Sequence, residues 1–174
     1  MTSVLIRNAV DAELPAVGEI RLAAYLADGF LAPGSGYAPT LRALGADGAG
    51  EVLVAVEPGG PGQADRIVGT VMLQPWPHSG HVAHGPDEAE VRALAVAPDA
   101  QRGGIGAALL QGVIERARQV GVGHLALCTQ ATMLAAHRLY ERAGFVRLPD
   151  RDWSPDAATT LLAYGLRLGD PADR

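Results

Sequence analysis

The sequence predicts an α+β fold: one domain built on a mixed sheet. Three observations carry that expectation. EVLVAVE and RIVGTVML alternate in hydrophobicity and flank a turn-rich connector, which is the pattern of a hairpin. Two long stretches, Leu14–Tyr25 and Ile105–Ala117, instead repeat their apolar residues at helical spacing. The chain has 174 residues, 48% hydrophobic and 19% charged, enough to bury one real core and too apolar for disorder.

Each element has its own signal. SVLIRNAV reads as a first strand. Asp11 looks like an N-cap, with Glu13 and Pro15 in the first turn of a helix that stops near Asp28-Gly29. FLAPGSGYAP is loop, and TLRALG is a short second helix. Strands follow at 51–57 and 66–73, joined by PGGPGQAD. QPWPHSGHVAHGPDE is an irregular excursion before the strand 89–96, which Pro98 stops. Residues 104–120 form a helix with one stripe (Ile105, Leu109, Leu110, Val113, Ile114, Ala117), closed by Gly121. HLALCT is a strand, 132–143 a helix capped by Gly144, and FVRL and 160–168 the last strands. The order is β-α-(α)-β-β-β-α-β-α-β-β. Residues 1–168 are expected as a single domain and 169–174 as a tail, without repeat or linker.

The formal net charge of -5 argues against a nucleic-acid partner or an anionic membrane surface, though not against a local basic pocket. MTSVLIRNAV lacks the apolar core of a signal peptide, and no stretch reaches the roughly 18 apolar residues of a membrane span. The single cysteine, Cys128, permits no intramolecular disulfide and suits a cytoplasmic location. In the apolar run HLALC it reads as a buried thiol rather than a nucleophile.

The informative stretch is QRGGIG, residues 101–106, between a strand and a long helix. The first N–H groups of a helix have no partner within it, and the helix dipole adds partial positive charge there. Glycines let an anion approach that backbone, and Arg102 adds a full charge. On the glycines alone two readings stand: a phosphate site, or a tight turn with close helix–sheet packing. A Walker A loop is excluded, since the chain has no GK[ST]. A dinucleotide fingerprint is excluded too: after Gly104 and Gly106 its third small residue would fall on Leu109, and the turn follows three earlier strands.

Q-x-x-G-x-G at Gln101, Gly104 and Gly106 resembles the acyl-CoA signature of the GNAT N-acetyltransferase superfamily. LAVAPDA before it is similar to that family's L-x-V-x-P strand end, and AAHRLYERAGF (135–145) to its second signature, A-x-x-L-Y-x-x-x-G-F. The motifs lie about 30 residues apart with a helix and a strand between. The likeness is tightest over residues 88–146.

The resemblance implies a GNAT-like acyl-CoA N-acyltransferase fold: a mixed, mostly antiparallel sheet flanked by helices, with a splayed strand pair for CoA. It implies acetyl-CoA as co-substrate, an amine acceptor, no metal, and the dimers common among its members. The main chain of Leu94, Ala95 and Val96 would pair with the pantetheine arm. The pyrophosphate would lie on the N–H groups of Arg102, Gly103, Gly104, Ile105, Gly106 and Ala107, with Gln101 also counted to the cofactor site. The Leu94 N–H would hold the thioester oxygen. Glu90 occupies a catalytic-base position, with Glu88 a weaker second choice. Glu90 lies four residues before Leu94, on the same face of a regular strand and about 13 Å away, so it would act through a water. Tyr140 matches the general acid, being a phenol that stays protonated at pH 7. Met133 stands where many members have Asn, with Thr129, Gln130 or Thr132 as substitutes. His137 would lie along the CoA arm or simply at the surface.

Two rival functions keep the same fold. One is an acyl-CoA sensor that needs neither Glu90 nor Tyr140, and the other is an enzyme with a longer acyl donor. His78, His81 and His84 recur every third residue, but no helix aligns them and no cysteine adjoins, so a loop beside the acceptor is expected rather than a metal site. In the fold that the resemblance implies, Tyr25, Phe30, Trp76 and Trp153, with Tyr37, border the acceptor site, and ordinary hydrophobic packing of loops is the alternative reading.

Overall fold

The computed structural model describes residues 3–78 and 82–169. His81 and the end of the tail lie outside the described residues. The chain divides into two compact units, Met1–Met72 with Ala93–Val113 and Leu73–Arg92 with Ile114–Arg174. The elements in chain order are β1 (Leu5–Asn8), α1 (Leu14–Ala27), α2 (Ala38–Ala43), β2 (Glu51–Glu57), β3 (Arg66–Pro75), β4 (Glu88–Val96), α3 (Ile105–Gln119), β5 (His124–Gln130), α4 (Leu134–Arg142), β6 (Val146–Arg147), β7 (Trp153–Asp156) and β8 (Thr159–Arg167).

In the first unit the strand order is β1-β2-β3-β4. β1 and β2 pair antiparallel, Leu5 opposite Val56 and Asn8 opposite Leu53. Val17 of α1 packs on Val52, Val54, Val56 and Met72, and Leu22 on Leu31 and Leu41. Gly69 is what lets α3 lie on β3. A Cβ there would stand 2.8 Å from Leu109 Cδ1, 3.2 Å from Ile105 Cγ2 and 3.1 Å from the Ala95 carbonyl oxygen, closer than ordinary contact. Arg21, fully buried in α1, donates to the Leu41 and Leu44 carbonyls at 3.3 and 2.7 Å, and so satisfies the end of α2.

Asp11 is not the N-cap that the sequence suggests. It opens a single 3-10 turn, Asp11–Glu13, and caps nothing with its side chain. Glu13 takes the role by accepting from the Val10 N–H at 2.9 Å while Arg7 grips both its oxygens. That reciprocal bond is half of a capping box. Asp28-Gly29 does end α1, with Gly29 at φ +74, and Gly121 and Gly144 end their helices at φ +82 and +97.

In the second unit the order is β4-β5-β8-β6, with β7 also on β8. The β4–β5 ladder is parallel, and those of β5, β6 and β7 with β8 are antiparallel. Sequence reading missed β7. Pro155 within WSPD has no N–H to give a ladder, which disguises a strand whose only recorded partner among the described residues is β8. Val82, Ala126 and Ala163 form a small core with Cys128 and Leu148.

The start of β4 is fastened by Glu88. Its oxygens each accept from Arg151 at 2.9 Å, Oε1 also from His124 Nδ1 at 2.8 Å, and Oε2 also from the His84 N–H. Arg151 donates further to the Val82 carbonyl. Burial alone would push the Glu88 carboxyl up, but Arg151, His124 and His84 outweigh it and hold it at about 2, below the ordinary 4.5. A lowered folded-state pKa stabilises fully above about 4.5 and is lost as pH falls toward about 2. Urea titrations should therefore find Glu88→Gln less stable than wild type by about 2 kcal/mol at pH 7. That difference should shrink as pH is lowered from 5 to 2.5.

Candidate active site

Glycine and one strained arginine shape the loop after β4. Arg102 has φ +70 and Gly104 φ +77, with Gly103 between them. Alternating handedness of this kind turns successive N–H groups into an anion-binding concavity. Gln101 to Gly104 are all exposed, and a Cβ built on Gly104 would meet nothing within 4 Å. Ala108 N–H is the first to bond back along α3, to the Gly104 carbonyl at 3.0 Å. The N–H groups before it are those a helix start leaves without internal partners. Gln101 anchors the loop by donating to the Val96 carbonyl at 3.3 Å and Asp28 Oδ2 at 3.4 Å. The residues present therefore fit a diphosphate laid against backbone.

β4 itself is irregular in its middle. Ala93 has φ +52, in the left-handed region. A residue in that conformation breaks strand alternation and re-aims the residues after it, as a bulge does. The ladder with β5 covers only Glu88–Glu90 against His124–Ala126. Glu90 and Leu94 would share a face only on a regular strand, and the left-handed Ala93 interrupts that regularity. In the same unit as the loop, Tyr25 packs on the Leu22, Leu31 and Leu41 cluster and its carbonyl accepts from the Phe30 N–H. Tyr37 is exposed.

In the second unit Glu90 is buried, at 7% exposure. Arg92 Nε lies 3.7 Å from its Oε1, and Arg92 donates to Gln74 Oε1 at 2.9 Å. Glu88, the second choice for a base, is removed from contention by Arg151 and His124, which hold both its oxygens. Cys128 is half-buried. Desolvation raises its thiol to about 11, the Trp153 N–H opposes the rise, and the charges of Glu90 and Asp152 add to it. Trp153 thus lies on the sulfur, while Trp76 is exposed at the end of β3.

Tyr140 of α4 is buried against Phe145 and Tyr164, with ring centroids 5.9 and 6.2 Å away. His137 is not a loose surface residue, because its Nε2 donates to the Gln130 carbonyl at 2.9 Å. Met133 precedes α4, and its sulfur accepts from the Thr129 hydroxyl at 3.6 Å. Of the three candidates to replace the missing Asn, Thr129 is thus turned to Met133.

Comparison with known proteins decides the family. The model of the acetyltransferase (GNAT) family matches residues 24–145. The chain belongs to the GNAT acetyltransferase family. It is 46% identical over 59 residues to the [ribosomal protein bS18]-alanine N-acetyltransferase of Escherichia coli K12, a match spanning 34% of this chain and 40% of that relative. The E. coli ribosomal-protein-S18-alanine N-acetyltransferase structure superposes with TM-score 0.70 at 24% identity, over 96% of this chain and 95% of that one. The structure of yncA of Salmonella typhimurium, solved with its cofactor acetyl-CoA, gives 0.69 at 22%, over 95% and 94%. These two structures share the GNAT fold with this chain.

Sequence reading of this GNAT chain missed Arg92 and Gln74. The signal existed as E-x-E-x-R, Glu88, Glu90 and Arg92 at period two on one strand face. The elevated Cys128 thiol makes that face testable. At pH 8 only about one thiol in a thousand is ionised. Iodoacetamide labelling followed by intact mass should accelerate about tenfold per pH unit up to pH 10, without levelling near 8.5. In Glu90→Gln the whole profile should move to lower pH. An unmoved profile would contradict the proximity of the two side chains.

Proposed function

We propose that this chain transfers an acetyl group from acetyl-CoA to a primary amine by direct attack in a ternary complex. The observation that carries the reading is the loop after β4: exposed over Gln101–Gly104, left-handed at Arg102 and Gly104, and leading into the first turn of α3 in a GNAT chain. The relative named as an alanine N-acetyltransferase and the neighbour solved with acetyl-CoA support it.

In this reading the N–H groups of Arg102 to Ala107 bind the pyrophosphate, and the backbone of Leu94, Ala95 and Val96 pairs with the pantetheine amides. The N–H of Leu94 holds the thioester oxygen as it gains charge. An aliphatic amine has a pKa near 10.4 and arrives as an ammonium. Glu90 takes its proton through a water. The nitrogen lone pair then forms the C–N bond, the C–S bond breaks, Tyr140 gives the thiolate its proton, and the second proton shed by the new amide nitrogen restores the phenol. Met133 and His137 line the CoA arm, and Tyr25, Phe30, Trp76 and Trp153 border the acceptor.

Binding and turnover separate the parts. Acetyl-CoA at about 100 times its Kd should add roughly 2.7 kcal/mol, a rise of several degrees in Tm, where NADH adds nothing. Gly104→Val, which forces a branched side chain into a left-handed position, should lose most of that rise. Against an amine library, Tyr140→Phe should lower kcat by about a hundredfold or more with the acetyl-CoA KM unchanged. Full activity in that variant would remove Tyr140 from the chemistry. Binding without turnover of any amine would favour the sensor, and no shift with any CoA ester would end the reading.

A further inference from the structure

Arg92, unlike Arg147 and Arg151, has donors that the described residues do not use up. Arg151 is engaged by Glu88 and the Val82 carbonyl, and Arg147 by both oxygens of Asp152 and the Ala163 carbonyl. Among the described residues Arg92 makes one hydrogen bond, through Nη1 to Gln74. Its 3.7 Å approach to Glu90 is longer than a hydrogen bond. The remaining guanidinium N–H groups have no hydrogen-bond partner among the described residues, although the side chain is only 24% exposed. Arginine cannot relieve partial burial by losing its proton. Gln74, itself 7% exposed, fixes one edge of the fork, which leaves the rest as a preset anion receptor.

The position of the fork narrows the ligand. Arg92 and Glu90 lie two residues apart on one strand face, with the Arg92 Nε 3.7 Å from Glu90 Oε1. Opposite charges at that spacing match a small molecule with an ammonium and a carboxylate a few bonds apart. Resting on the acetyl-transfer reading, we propose that Arg92 binds the carboxylate of the acceptor and that the acceptor is a free amino acid. A simple alkylamine has no group for the fork. A peptide N-terminus has a neutral amide where the carboxylate would be, and would leave the cation unmatched.

The test compares free L-amino acids, their primary amides and short peptides with the same first residue, followed by release of CoA thiol. Free acids should exceed their amides at least tenfold in kcat/KM, mostly through KM. Arg92→Gln should abolish that preference and leave the acetyl-CoA KM unchanged, and Arg92→Lys should restore part of it. Amides or peptides used as well as the acids, or a preference that survives Arg92→Gln, would overturn the proposal. Should no acceptor turn over, calorimetry of the amino acids with and without CoA decides. Carboxylate-dependent binding lost in Arg92→Gln upholds the fork, and binding indifferent to the carboxylate, or none at all, refutes it. Failure of the acetyl-transfer reading is seen separately, as absence of any thermal shift with CoA esters.

Discussion

The second unit depends on one carboxylate. Glu88 gathers Arg151 from the turn before β7, His124 from β5 and the His84 backbone. It therefore joins three stretches far apart in sequence at the residue where β4 begins. A half-buried carboxylate with this many charge-assisted donors is rigid, and removal of any one leaves others unsatisfied. Its rigidity matters because Glu90 and Arg92 occupy the next two positions on the same face. Were the start of β4 to slip by one residue, both would turn to the opposite side of the sheet.

The other constraint on β4 is Ala93. A left-handed alanine costs roughly 1–2 kcal/mol relative to a regular strand residue. A strand that only had to pair with neighbours would not carry it. The β4–β5 ladder ends at Glu90, before that residue. The change of direction at Ala93 separates a stretch engaged in the ladder from a stretch, Leu94–Val96, that leads into the glycine loop. Alanine is the smallest side chain that can hold the conformation while still presenting a Cβ.

Periodicity and punctuation made most of this legible. Alternating valines marked β2 and β3, and the single apolar stripe marked α3. Glycines at 29, 121 and 144 marked ends that do take positive φ. The two linked motifs pointed to the family. Long-range polar contacts stayed hidden. Nothing near Arg21 says that it satisfies carbonyls twenty residues later, and nothing near Glu88 says that Arg151 will reach it. Glu88 and Glu90 looked alike in the text, two carboxylates at period two. Tertiary partners separate them, holding one at about 2 while the other lies beside an incompletely engaged arginine. Ala93 was invisible because no glycine or proline announced it.

The difference between the arginines bears directly on function. A protein that buries part of a guanidinium usually supplies carbonyls and carboxylates until its donors are met, as this one does for Arg147 and Arg151. Among the described residues Arg92 receives a single amide oxygen and, at 3.7 Å, the Glu90 carboxylate. Stability alone favours either completing that set or replacing the side chain by an apolar one of similar length. Keeping an arginine there with donors to spare, beside a buried glutamate, is reasonable if both charges face a ligand that supplies the complementary pair. The exposed backbone at 101–104 follows the same logic in the proposed acetyl-CoA reading, where groups left outside the helix ladder meet a ligand that arrives later.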